Sequence, residues 1–403
     1  MDNKKKNPNV PNLRFNYSDR WIEKSLQNIC EFYKGNGISK EDISENGNPC
    51  ILYGQLYTTY KNEIIHEVIS KTNVKLKNPF YSKINDLIIP SSGEDPLDIA
   101  VARSVKQENV LLGGDLNVLR PNKLISSDFL SYQLNGVRKY DIAKIAQGKS
   151  IVHLHNEDLK KIKVYIPSIQ EQMKISSLLN LLDIRIDTQN KIIKEYHAYK
   201  NAIIDELIFK NPDLKIKVPL REFAVLKNGY AFKSDTYDDN GQYNIITIAN
   251  VSGGKYINAS LTNKIISLPK DIQDHQILQH GDILISLTGN VGRVSIVDVD
   301  NCLLNQRVGV LSFKDTYMKD YIYQVLSSNK FENKMIQKGQ GAAQKNISNE
   351  DVETFLITVS LDENNCRLIA QYLNLLDEKI AIETNLLNDY ILEKNYLLNN
   401  MFV

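Results

Sequence analysis

No apolar run in this chain approaches the roughly 20 residues that a membrane-spanning helix requires. The polar, lysine-bearing start from Met1 to Asn12 also lacks the apolar stretch of a signal peptide. No membrane association is expected, and a cytoplasmic location is. The 403 residues hold only four cysteines, Cys30, Cys50, Cys302 and Cys366, with no CxxC pair. They read as reduced, mostly buried thiols, not as a disulfide framework. The six histidines (His66, His153, His155, His197, His275, His280) have no zinc-site spacing with them, so no metal is expected. A charge excess is missing too. Lys and Arg number 49 against 48 Asp and Glu, a net charge of +1. A stand-alone DNA binder shows a clearer basic surplus. A chain of this balance that binds DNA would take much of its phosphate neutralisation from a partner.

Catalytic motifs are absent as well. An amino-methyltransferase needs an Asn-Pro-Pro-aromatic loop, and Asn78-Pro79-Phe80 lacks the second proline. Gly148-Lys149-Ser150 resembles the end of a phosphate-binding loop, but Ala143 stands where that loop needs glycine. Acidic-x-Lys triplets such as Glu332-Asn333-Lys334 occur by chance and do not argue for a nuclease. No catalytic residue and no cofactor are expected.

What is present is a repeat. Leu179-Asn180-Leu181-Leu182-Asp183 returns as Leu373-Asn374-Leu375-Leu376-Asp377, 194 positions later. Ile175 matches Ile369, Ile186 matches Ile380 and Tyr196 matches Tyr390. Upstream, Asn156-Glu157-Asp158 matches Asn349-Glu350-Asp351 at an offset of 193. So long a period marks a duplicated domain, not a solenoid. Each copy ends in a helical segment free of Gly and Pro, with an apolar stripe in steps of three and four. The first stripe runs Ile175, Leu179, Leu182, Ile186, Ile193, Tyr196, Ile203, Leu207; Gln189 and Lys200 interrupt it. The second runs Ile369, Leu373, Leu376, Ile380, Leu387, Tyr390, Leu397, Met401. A long helix with one apolar stripe needs a mate. Either the two pair as an antiparallel coiled coil, or each lies on its own globular domain.

The globular parts read as β-rich, with short strands at Phe223–Leu226, Tyr243–Ile248, Asp282–Ser286 and Arg307–Leu311 between Gly/Asn turns. Met318–Ser328 and Lys330–Lys338 read as helices. In the first copy Asn85–Pro90 stands where Gly281–Ser286 stands in the second, and Leu111–Leu119 where Leu303–Leu311 stands. The expected fold class is α+β: two β-rich domains joined by two long antiparallel coiled-coil helices, a pseudo-two-fold internal repeat. The expected organisation is a tail at 1–11, a first domain at 12–166, a central helix at 167–211, a second domain at 212–360 and a C-terminal helix at 361–403.

The loops differ between the copies. Thr288, Asn290 and Arg293 lie in a Gly-bearing loop after a strand. Glycine lets backbone approach a phosphate, and arginine grips phosphate or guanine; a plain hairpin turn fits equally. Asn305, Gln306 and Arg307 suit base edges, or an exposed strand start. Gln344 and Lys345 lie in a small polar segment that reads as a DNA-facing loop or a linker. Lys227, Asn228, Tyr230 and Lys233 mix cations with aromatics, useful against a nucleic-acid backbone but common on surfaces. The first-copy counterparts are Lys34 and Asn36, Ser91 and Ser92, and Lys149 and Ser150.

In this order and within a duplication, these segments resemble the specificity subunit of type I restriction-modification systems. The residues that carry the likeness are Gly281-Asp282-Ile283-Leu284-Ile285-Ser286 with Gly289 and Gly292-Arg293, Asn305-Gln306-Arg307, and Ile166-Pro167-Ser168-Ile169-Gln170-Glu171-Gln172. The resemblance spans about Asn12 to the C-terminus. It implies two target-recognition domains, each reading one half of a split site in double-stranded DNA. It implies helices that set the gap and dock modification (adenine methyltransferase) subunits, two per chain, with restriction (translocase/nuclease) subunits joining through the complex. The chain would then be a non-catalytic recognition subunit. Two departures stand out. Val359–Asn365 replaces the Pro-x-x-x-Glu-Gln helix opening, and Pro90-Ser91-Ser92-Gly93-Glu94 replaces the Gly/Arg loop. The rival readings are a coiled-coil scaffold without base readout and a DNA-modifying enzyme in its own right.

Overall fold

A computed structural model describes residues 9–214, 216–260, 262–339, 346–360 and 362–403. They form two compact units, one ending at Gln189 and including Leu386–Val403, the other spanning Asn190–Asn385.

In the first unit, Ile22–Ser25 pairs antiparallel with Lys163–Ile166, closing the globular part just before the first long helix. The main sheet has five strands in the order Cys30–Lys34, Leu116–Pro121, Asp86–Pro90, Arg103–Val105, Ile64–Ile65. Its central strand, Asp-Leu-Ile-Ile-Pro, is buried at every position. Such an unbroken apolar run is what a strand covered on both faces needs. A second sheet sets Leu111–Leu112 parallel to Cys50–Ile51. The core unites Trp21 and Phe129 with Ile175, Leu179 and Leu182 of the first long helix and Leu397, Met401 and Phe402 of the C-terminal end.

The second unit repeats the strand order: Ala224–Asn228, Val308–Phe313, Ile283–Ser286, Val294–Ile296. Its closing pair is Ile216–Pro219 with Leu356–Val359. Its second sheet again holds a parallel pair, Asn244–Ile246 beside Cys302–Leu304. Leu111–Leu119, read as one stretch, is two strands broken at Gly113-Gly114-Asp115, as Cys302–Leu304 and Val308–Phe313 are broken at Asn305-Gln306-Arg307.

The long helices run Ile169–Ile204, continued by a π-helical turn at Asp205–Phe209, and Glu363–Asn400. The Glu-Gln opening of the first has a structural reason. Arg14 donates to both Glu171 carboxylate oxygens at 2.7 and 2.8 Å. The Gln172 amide accepts from Ser126 N and donates to Leu124 O and Pro167 O, pinning the helix start to the loop before Phe129. In the second copy Cys366 occupies the place of Gln172, buried, with its Sγ accepting from Ser360 N. Within the first unit Asp183 meets Lys394, and Arg185 meets Tyr390. Within the second, Lys200 meets Asp377 and Tyr199 meets Tyr372. Lys200 was expected to weaken the apolar stripe. It is instead 8% exposed and paired to a buried carboxylate, so it joins the helices where it stands.

Candidate nucleic-acid interface

Four loops distant in sequence converge in the second unit. Tyr230 N donates to Leu304 O, and Gln306 N to Tyr230 O. Leu287 N donates to Arg307 O, and Ile347 N to Leu287 O. These backbone bonds stitch the loop after Ala224–Asn228 to the turn Asn305–Arg307, to Thr288, and to the chain at Asn346. The result is a groove of about 900 Å³ lined by Asn228, Thr288, Gln306, Arg307, Asn346 and Asn349 among others. Gln306 and Arg307 are exposed at its wall. Leu287 and Ile347 add apolar surface to the wall; its polar part is amide, hydroxyl and guanidinium, with Arg307 the one ionic lining residue among the described residues. Such a set can donate to and accept from base edges or bind phosphate. The side-chain Oγ1 of Thr288 is buried without a partner among the described residues.

The other residues of this unit singled out from sequence stand around the groove. Tyr230 is half-buried and donates its hydroxyl to Asp271 at 2.8 Å, a bond that raises its pKa. Lys227 and Lys233 are exposed. Asn290 is exposed, and its carbonyl accepts from Ser286 Oγ. Arg293 lies 3.4 Å from Glu332 and does not line the groove. Gln344 and Lys345 lie outside the described residues.

The first unit builds the same frame. Ser91 N donates to Asp115 O and Leu154 N to Ser91 O, the counterparts of the bonds at Leu287. A groove of about 630 Å³ lies beside Lys34, Gln147, His155 and Asn156. Lys34 is exposed; Asn36 is exposed and donates to Asn78 O at 2.6 Å. Lys149 and Ser150 are exposed in the bend after Gly148. Ser91 and Ser92 are each 6% exposed; Ser92 pairs with His153 in a short ladder. These two serines therefore hold the frame and present no free surface, because the loop they occupy folds inward where the second copy has its Gly/Arg loop.

Two features escaped the sequence reading. Asp115, with a positive φ of 56°, stands where Arg307 stands in the second unit. A Cβ at Gly35 would overlap Gly113 O, and one at Gly229, 194 positions later, would overlap Asn305 O. Each glycine lets its strand pass directly against the turn that differs between the copies. The 194 offset held the signal.

Among the described residues no group of His, Cys, Asp or Glu could hold a metal, and no helix is long and apolar enough to cross a membrane.

Comparison with known proteins accounts for this frame. The sequence profile described as type I restriction modification DNA specificity domain matches twice, at residues 18–196 and 212–389. Two relatives come from Methanocaldococcus jannaschii. One, assigned as the specificity subunit of the type I restriction enzyme MjaX, is 23% identical, covering 90% of this chain and 88% of its own. The MjaVIII specificity subunit is 24% identical, covering 69% of each chain. In structure the chain is similar to the type I system S subunit from M. genitalium, with a TM-score of 0.62 and 16% identity, covering 98% of this chain and 99% of that one. The chain belongs to the type I restriction-modification DNA specificity family, with two copies of the specificity domain.

Proposed function

We propose that this chain is the DNA-reading subunit of a type I complex, each unit reading one half of a bipartite target in double-stranded DNA. The observation that carries the reading is the shared frame with unlike turns: Asn305-Gln306-Arg307 in one groove, Gly113-Gly114-Asp115 beside the other. Exposed Lys34, Asn36, Lys149, Ser150, Lys227, Asn228, Lys233, Gln306 and Arg307 supply the direct contacts. The long helices act as an antiparallel coiled coil, giving the chain a pseudo-two-fold repeat and setting the gap between half-sites. The contacts within the first unit support that direction, because Asp183 meets Lys394 and Arg185 meets Tyr390, numbers rising on one helix as they fall on the other. The helices also carry apolar residues facing solvent. Leu368, Leu375 and Ile382 in the second unit are 58, 63 and 61% exposed, and Met173 and Leu181 in the first 59 and 60%. Such patches mark protein interaction sites, and methyltransferase subunits are their proposed partners, one per copy. The absence of catalytic motifs favours recognition over an intrinsic activity.

The test is an exchange. Residues 12–166 are replaced by the matching segment of a relative, and the chain is co-expressed with its modification subunits. Sequencing of methylated adenines should show one half of the motif altered and the other kept. A change in both halves, or in neither, refutes modular reading.

A further inference from the structure

Each unit buries an ion pair between the two long helices. In the first unit Asp183 Oδ1 lies 2.6 Å from Lys394 Nζ, and in the second Asp377 Oδ1 lies 2.5 Å from Lys200 Nζ. The pairs are related by the repeat: Asp183 and Asp377 are 194 apart, and so are Lys200 and Lys394. The lysine of each copy serves the aspartate of the other. Each aspartate is also held by a short helix of its own globular part. The Tyr132 hydroxyl donates to Asp183 Oδ2 at 2.6 Å, and Gln324 Nε2 donates to Asp377 Oδ2 at 2.8 Å. Each ammonium lies over a tyrosine ring, Lys394 over Tyr132 at 5.8 Å and Lys200 over Tyr323 at 5.6 Å. Every node thus ties three elements together: both long helices and the recognition domain.

Most of the remaining helix contact is an apolar stripe, with Arg185–Tyr390 and Tyr199–Tyr372 as polar contacts at its exposed edge. Leucine and isoleucine seams repeat by the heptad and tolerate a slip of seven residues, because a leucine still meets an apolar neighbour. A buried charge does not tolerate it. Slippage would leave an aspartate and an ammonium each buried without its partner, a cost far above that of an apolar mismatch. We infer that Asp183–Lys394 and Lys200–Asp377 are register locks: positioning residues that select one alignment of the two helices, and through it one gap between half-sites. The inference rests on the reading that the helices set that gap. A slip of one heptad moves a helix by about 10 Å at roughly 1.5 Å per residue, or about three base pairs at roughly 3.4 Å each.

The second-unit pair gives the cleaner test, because Lys394 also serves Glu63 at 2.8 Å. The variant K200M/D377L removes both charges and keeps apolar bulk. It is purified and expressed as the complex with its modification subunits, beside the unaltered chain and Leu373→Ala. The expected result for K200M/D377L is a Tm at or above that of the unaltered chain, with both half-site sequences kept. With the first-unit pair still in place, slippage strands one pair instead of two, so its methylated motif should spread to a second gap about three base pairs from the original one. Leu373→Ala, a loss of packing alone, should lower the Tm and keep the single gap. A K200M/D377L complex that methylates only at the original gap, with original efficiency, overturns the lock. So does a variant that fails to fold, since the pair would then supply stability and not register. An unaltered chain that yields no bipartite motif overturns the functional reading itself, and is told apart by that control.

Discussion

Replacing Gly229 by alanine should blind one half of the chain and spare the other. The new Cβ would lie 2.5 Å from Leu304 O and nearer still to Asn305 O, where real Cβ atoms stay beyond 3.0 Å. Both obstacles are backbone, so no side chain can swing aside. Leu304 O must retreat by about half an ångström, the difference of those two distances, and Asn305 O, in the turn Asn305–Arg307, by about 0.7 Å. A hydrogen bond has a working range of about 2.7–3.2 Å, so a shift of that size takes Gln306 and Arg307 out of reach of a base edge. Each good bidentate contact is worth about 1–3 kcal/mol of discrimination. Losing two costs about 2–6 kcal/mol, or roughly thirtyfold to twenty-thousandfold at about 1.4 kcal/mol per decade. The local strain costs about 1–3 kcal/mol, which a unit with its own core survives. Gly35→Ala is the reciprocal variant, since its Cβ meets Gly113 O and lies 2.9 Å from Leu112 O. Methylated-adenine sequencing should find one half-site degraded in Gly229→Ala and the opposite half in Gly35→Ala. Two intact half-sites in Gly229→Ala, or loss of the same half in both variants, would refute the reasoning.

Two further outcomes follow from the same geometry. Arg307→Ala should relax the motif at one position of one half-site and cost about 1–3 kcal/mol in binding by the complex; a uniform loss across all sequences would make Arg307 a phosphate contact instead. Burial, and then the nearby Glu63 carboxylate, push the Asp183 carboxyl up to about 6, against the pull of Lys394 and Tyr132. A carboxyl raised above its unfolded value binds more protons folded than unfolded, so its contribution grows as pH falls from 7 through 6 and shrinks as pH rises. The stability gap between the unaltered chain and Asp183→Asn, read from denaturant midpoints, should therefore widen in favour of the unaltered chain between pH 7 and 5; a gap that narrows contradicts the assignment.

The duplication was legible because equivalent core positions keep their residue types. Leu179 and Leu373 are both fully buried, and the apolar strand runs at Leu87–Ile89 and Ile283–Ile285 sit at the centre of their sheets. The loops at Thr288 and Asn305 were legible as candidates because Gly, Asn and Arg clusters between apolar runs are surface signals. Their convergence was not, since it depends on backbone bonds such as that from Leu287 N to Arg307 O, which sequence spacing does not encode. Ser91 and Ser92 misled for the converse reason. Small polar residues in a turn look exposed, but here the turn folds under Leu154. Lys200 looked like a flaw in the apolar stripe because its partner lies 177 residues away.

A frame that is shared while its turns differ is what the proposed two-reader function requires. In the second unit the turn is fixed through main-chain atoms: Gln306 N to Tyr230 O, Leu287 N to Arg307 O and Val308 N to Asn305 O. Those bonds are indifferent to side-chain identity. Gln306 and Arg307 are exposed, so substituting them opens no cavity and strands no buried polar group. The demand on sequence falls elsewhere, on Gly229 and Gly35, which must lack a Cβ, and on the buried apolar strands. Gly113-Gly114-Asp115 keeps part of that pattern, with Ser91 N donating to Asp115 O as Leu287 N does to Arg307 O and Asn36 N to Leu112 O as Tyr230 N does to Leu304 O, but with different chemistry and a positive φ at Asp115. The fold therefore separates the residues that hold the groove from those that face it. On the proposed reading, specificity can change at the exposed turn positions while the sheet, the helix nodes and the core remain as they are.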